Sequence, residues 1–205
     1  MGFLVLYVDD ILLIRNDVAA LSVVKVWLAS TFDIKDLIEA SYILGIRLIQ
    51  DRKRKIMGLS QASYIDKVLT RFSMDNSKKG LLPFGYSLVF SRGQCPKTQE
   101  ERSRRDGIPY ASVVGSLMYA MFYTSLDICF AVGMVSRYQS NPGPEHWTAI
   151  KHILKYLRRT EDYMLMYDRD ELIPVEYTDL DFMSDKDSRK SASGHLFTLG
   201  GGAVS

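Results

Sequence analysis

Two adjacent aspartates, Asp9 and Asp10, interrupt an otherwise apolar stretch that runs from Phe3 to Ile14. Apolar, β-rich runs on both sides of so short a polar centre read as a hairpin with the carboxylates at its tip. Neighbouring carboxylates repel each other, and a strand tip gains nothing from the second. One reading is a plain polar turn. The other is a divalent cation: Mg²⁺ takes oxygen ligands, keeps several waters, and is held by one or two carboxylates together with substrate phosphates. Two such ions about 3.5–4 Å apart stabilise the attacking and leaving oxygens of an in-line phosphoryl displacement.

Beyond the hairpin, Asn16 or Asp17 is placed to cap a helix. Val24, Trp27 and Leu28, with Leu21, recur at three and four residues and predict its buried face. A second hairpin is expected from Tyr42–Ile49 and Lys55–Leu59 around the charged turn Asp51–Arg54. A helix follows over Gln61–Phe72, with Tyr64, Ile65, Val68, Leu69 and Phe72 on one stripe. Residues 75–108 carry no period and are rich in glycine and proline, so they read as a long connection and a domain boundary. Three helices are expected at Pro109–Phe122, Leu126–Tyr138 and Pro144–Arg159, with both prolines at first helical positions. Tyr163–Tyr167, Ile173–Thr178 and Gly194–Leu199 read as strands.

Hydrophobic residues make up 47% of the 205 and charged residues 24%, which suits an ordinary globular chain. The formal charge of +2 is too small to name a nucleic-acid partner by itself. Cys95 and Cys129 have no metal-ligand spacing and read as reduced thiols of an intracellular protein. No apolar run approaches the roughly 18 residues that span a bilayer. His146, His152 and His195 are not spaced as a metal cluster and read as structural or surface residues. Both ends of the chain read as cut.

The string Phe3–Ile14, with Tyr7-Val8-Asp9-Asp10 at its centre, resembles the palm motif of reverse transcriptases. Asp36–Ile46, Gly58–Leu69, Pro109–Tyr119, Ser136–Tyr138 and His146–Leu157 are similar to segments of copia-type retrotransposon polyproteins that follow that motif. Tyr177-Thr178-Asp179-Leu180-Asp181 and Asp187–Gly194 resemble the opening strands of an RNase H domain. The resemblance implies an α+β fold in three parts. Residues 1–74 would be a partial palm and the start of a thumb, 75–162 a linker and helical connection region, and 163–205 the N-terminal strands of an RNase H-like domain.

It also implies roles. Asp9 and Asp10 would bind the catalytic Mg²⁺ or Mn²⁺, with Tyr7 and Val8 near the primer end. Asp179 would be the first metal ligand of the RNase H site, although by spacing alone an aspartate there reads as a cap or turn. The partners implied are an RNA/DNA template-primer duplex and dNTP, in a cytoplasmic virus-like particle or the nucleus. Arg52-Lys53-Arg54-Lys55, Arg102 with Arg104 and Arg105, and the face Lys151, Lys155, Arg158 and Arg159 read either as solvated surface or as phosphate-neutralising runs.

The sequence also departs from the family pattern. Arg15, Ile38 and Glu176 stand where glycine is usual, and Leu180 where a small residue is usual; Ser125-Leu126-Asp127 replaces an Arg-Pro-Asp string. A side chain at a glycine position strains any tight turn that it served. Only two residues precede the first hairpin, so the third polymerase carboxylate would lie outside the chain, as would the remaining RNase H acids. The sequence therefore predicts a fragment that does not polymerise alone. Its rival reading is a non-catalytic nucleic-acid-binding or protein-interaction remnant. An apolar hairpin edge is left available for association.

Overall fold

The computed structural model describes residues 2–85, 90–103, 106–168, 173–181, 185, 187 and 189–204. Helices and antiparallel sheets are mixed, as expected for an α+β chain. The chain divides into two compact units, Met1–Ile43 and Leu44–Ser205. The division falls between Ile43 and Leu44.

In the first unit, β1 (Phe3–Tyr7) pairs antiparallel with β2 (Asp10–Ile14), from Phe3 opposite Ile14 to Tyr7 opposite Asp10. Every residue of β1 is exposed. Helix α1 (Val18–Thr31) starts where Asp17 accepts the Ala20 N–H at 3.1 Å. Its burial follows the periodicity except at one position: Leu28 is buried and Leu21 and Val24 are half-buried, but Trp27 is 59% exposed, with its ring edge-on to Phe32 at 6.3 Å. The physical reason is that α1 is apolar on nearly every side, so the sequence does not separate Trp27 from the stripe of Leu21, Val24 and Leu28 that turns inward. A short β3 (Tyr42–Ile43) closes this unit.

The second unit opens with the hairpin β4 (Ile46–Asp51) and β5 (Ile56–Ser60). The strand expected over Tyr42–Ile49 is broken because Leu44 and Gly45 both take positive φ. At the turn, Asp51 Oδ1 accepts the N–H groups of Lys53 and Arg54 at 3.1 Å. Helix α2 (Ala62–Arg71) buries Ile65, Val68 and Leu69, three residues of the expected stripe.

After a five-residue α3 (Gln99–Ser103) come α4 (Tyr110–Tyr123), α5 (Cys129–Ser136) and α6 (Pro144–Thr160). Pro109 caps α4 from outside, whereas Pro144 occupies the first turn of α6 as expected. These helices build the core with α2: Val113, Leu117, Ile128, Val132, Ile150 and Leu154 are fully buried. Residues of the 75–85 and 90–96 stretches pack on the helices. Phe90 is buried against Tyr138 and His146, and the Gly80 N–H donates to the Lys155 carbonyl at 2.8 Å. The period is absent because single aromatic anchors, not a helical face, fix this segment.

Strand β6 (Leu165–Tyr167) adds to β5, and β7 (Val175–Asp181), β8 (Ala192–Leu199) and β9 (Gly202–Ala203) form a separate antiparallel sheet. The Tyr167 hydroxyl donates to the Ala203 carbonyl at 2.8 Å and joins the two sheets.

Tyr156 on α6 donates its hydroxyl to Asp127. Burial first, then that carboxylate, push its phenol up to about 12 from 10.0. A raised pKa stabilises the fold fully below the unfolded value and loses that contribution as pH rises through the folded one. Stability is therefore expected to fall between pH 10 and about 12. Tyr156→Phe should flatten that part of the profile, measured by chemical denaturation against pH.

Candidate functional site

The tip of the first hairpin is built from four residues. Tyr7 and Asp10 close the ladder, and Val8 and Asp9 make the two-residue turn. Val8 sits at φ +50, a left-handed conformation that a β-branched residue adopts only at a cost. All four are exposed. Asp9 and Asp10 open onto a cavity of about 530 Å³ within the first unit, which Asp33, Asp36, Glu39, Lys25 and Lys35 also line. The pair thus faces a concave, carboxylate-rich wall on a backbone fixed by cross-strand pairing.

One of those carboxylates is already engaged. Lys25 Nζ lies 3.0 and 3.1 Å from the two oxygens of Asp36 and 3.4 Å from the Ile38 carbonyl. Asp36 also accepts the Ile38 N–H at 2.8 Å. The lysine hydrogen bond, and then the Ile38 amide, hold the Asp36 carboxyl below the usual range. This clamp fixes the 33–39 segment that lines the cavity. Sequence reasoning missed it, because a pair eleven residues apart leaves no periodic signal.

Ile38, one of the positions where a glycine is usual, takes φ +67 and is 85% exposed. Its side chain therefore strains the backbone without packing in return. Arg15 and Glu176, the other two such positions, do not take positive φ. Ile38→Gly is expected to stabilise the first unit by about 1 kcal/mol, seen as slower amide exchange at residues 36–40.

The chemistry of the pair fits a hard cation. Two carboxylates are what Mg²⁺ or Mn²⁺ takes from a protein when substrate phosphates and water complete the shell. Among the described residues no group of three or more acids, histidines or cysteines is gathered as a full metal cage.

Asp179 stands elsewhere, in the second unit. It lies on β7 opposite Gly194, exposed, with Oδ1 accepting the Leu180 N–H at 2.9 Å. The cationic runs also separate. Arg52, Lys53, Arg54 and Lys55 crown the β4–β5 turn, exposed, with Arg54 3.8 Å from Asp51. Lys151, Lys155, Arg158 and Arg159 share one side of α6, and Lys151 lies 5.7 Å over the Trp147 ring. Arg104 and Arg105 lie outside the described residues. His146 is wholly buried, stacked 4.0 Å from Tyr138, with Nδ1 accepting the Gly143 N–H at 2.6 Å. It is a structural residue. No helix among the described residues is long and apolar enough to cross a membrane.

The profile of a family described as reverse transcriptase (RNA-dependent DNA polymerase) matches residues 3–85. The chain is 46% identical over 202 residues to the retrovirus-related Pol polyprotein from transposon TNT 1-94 of Nicotiana tabacum, covering 98% of this chain and 15% of that protein. It is 34% identical to the retrovirus-related Pol polyprotein from transposon RE1 of Arabidopsis thaliana, over 97% of this chain and 13% of that one. A third relative, secreted RxLR effector protein 161 of Plasmopara viticola, is 46% identical over 48% of this chain and 70% of its own length. The chain thus spans a small part of the polyproteins that it matches almost from end to end. No solved structure matches it.

Proposed function

This chain belongs to the copia-type retrotransposon Pol polyproteins and is a fragment of one, and we propose from that premise that Asp9 and Asp10 supply carboxylate ligands to the metal of its reverse transcriptase. The observation that carries this reading is the hairpin tip, where cross-strand pairing from Phe3 to Ile14 holds both carboxylates exposed beside a concave acidic wall. Mg²⁺ or Mn²⁺, when bound, neutralises the charge that develops on phosphate oxygens during nucleotidyl transfer. Asp9 and Asp10 hold it, Tyr7 and Val8 flank the primer end, and the Lys25–Asp36 clamp keeps the facing wall in place.

Residues 1–74 then correspond to the palm and the start of the thumb, 75–162 to a linker and the helical connection region, and 163–205 to the opening of an RNase H domain with Asp179 as a metal ligand. The runs at 52–55 and on α6 would grip template-primer backbone rather than read bases, so binding would be salt-sensitive and sequence-tolerant. The whole polyprotein would act inside the cell on RNA template, DNA primer and dNTP. The 205-residue chain acts as part of that enzyme and not alone.

Metal binding tests the role of the pair on the chain itself. Titrated Mn²⁺ is expected to broaden the NMR signals of residues 7–11 first, and Asp9→Asn with Asp10→Asn should remove that selectivity. Uniform broadening across all exposed carboxylates would sink the assignment.

A further inference from the structure

The second unit contains a cavity of about 990 Å³ that has no part in the proposed metal site. Arg92, Lys97, Arg102, Arg137 and Lys190 line it, with Asp185 and Asp187 among them. Both carboxylates are engaged. Asp187 Oδ2 accepts the Arg92 backbone N–H at 2.8 Å and lies 3.4 Å from the Tyr138 hydroxyl. Asp185 Oδ2 meets the Arg137 guanidinium at 3.4 Å, and its Oδ1 accepts the Asp187 N–H at 2.8 Å. Asp185 therefore neutralises Arg137, while Asp187 is held by a backbone N–H and a phenol rather than by a cation.

That leaves most of the positive charge uncompensated. Among the described residues, the side chains of Arg92, Arg102 and Lys190 pair with no carboxylate, and Lys97 has Glu101 nearby. Like charges gathered around one concavity repel one another and concentrate field lines there, which an entering anion relieves. Guanidinium groups match phosphate oxygens in a bidentate fork, and a lysine adds a point charge. A volume near the top of the range for ligand sites, roughly 300–1,000 Å³, accommodates more than one phosphate.

We propose that this cavity binds an anion of two or more linked phosphates, through the side chains of Arg92, Arg102 and Lys190. The site is independent of the Asp9–Asp10 assignment. Only its identification with nucleic-acid backbone rests on the polymerase reading, so the first probe carries no nucleoside.

Inorganic pyrophosphate, titrated calorimetrically into the full chain at low salt without divalent cations, is expected to bind one to one. Arg102→Ala with Lys190→Ala should weaken binding about tenfold or more. Lys78→Ala with Lys79→Ala, exposed and outside the cavity, should leave it unchanged. Asp185→Asn, which frees Arg137, should tighten binding, a gain that a poorly folded variant would not give. Displacement of pyrophosphate by a short single-stranded oligonucleotide supports the site and names backbone as the source; binding without displacement supports it and names free polyphosphate. No pyrophosphate binding, equal loss in both alanine pairs, or no tightening in Asp185→Asn would each overturn the proposal.

Discussion

Primer extension by a Pol protein that contains this chain is expected to fall at least about a thousandfold in Asp9→Asn or Asp10→Asn. Asparagine keeps the shape of the side chain and one carbonyl oxygen, so the hairpin survives. What it removes is the negative charge that, in the proposed role, would hold a dication beside the triphosphate. Metal stabilisation of transition-state charge is worth several kcal/mol, and about 1.4 kcal/mol is a factor of ten in rate. The tip offers little compensation. Asp36, a carboxylate of the same cavity, is held by Lys25 and the Ile38 amide. Asp36→Asn should loosen the cavity wall and cost much less than either tip substitution. Asp179→Asn, on β7 of the second unit, should leave extension unchanged. The 205-residue chain assayed alone is expected to give no extension, and processive extension by it, abolished in Asp9→Asn, would refute the proposal that it works only as part of a larger enzyme.

The same comparison shows what was legible in the residues. The helices α2 and α6 could be read because their periods are strong, and the starts of α1 and α6 because Asp17 and Pro144 carry cap or first-turn chemistry. The carboxylate tip was legible because two like charges inside an apolar run need a reason. The strain at Ile38 was also foreseeable, since a side chain stands there where a backbone of positive φ favours glycine. What could not be read depends on contacts distant in sequence. Phe90 reaches Tyr138 and His146, the Gly80 amide finds Lys155, and the anion cavity gathers residues from 92 to 191. Trp27 failed for the opposite reason: its helix carries so much apolar surface that the sequence does not set Trp27 apart from Leu21, Val24 and Leu28, which do turn inward.

Gly143 shows how far such a distant contact can govern stability. In sequence it is one letter of a breaker, Asn141-Pro142-Gly143-Pro144. Its conformation, φ −91 and ψ 176, is ordinary extended backbone that any residue adopts. The constraint is space: a Cβ here would lie 2.0 Å from the Gln94 carbonyl oxygen and 3.0 Å from its carbon. Backbone cannot yield as a side-chain tip does. Gly143→Ala must therefore push residues 90–96 off the start of α6. That movement strains the Gly143–His146 hydrogen bond, the Asn141 donation to the Pro96 carbonyl at 3.1 Å, and the packing of Phe90 on His146. The expected cost is about 3 kcal/mol or more, measured as a lower denaturation midpoint of the second unit. Gly115 supplies the contrast. It is an exposed residue of α4 with no neighbouring atom within 4 Å of a built Cβ. Gly115→Ala gains only helix propensity and should stabilise the same unit by about 1 kcal/mol. Opposite signs for the same chemical change would show that close approach of the 90–96 segment, and not backbone freedom, is what requires glycine at 143. Equal effects would mean that the segment does not hold its place against α6.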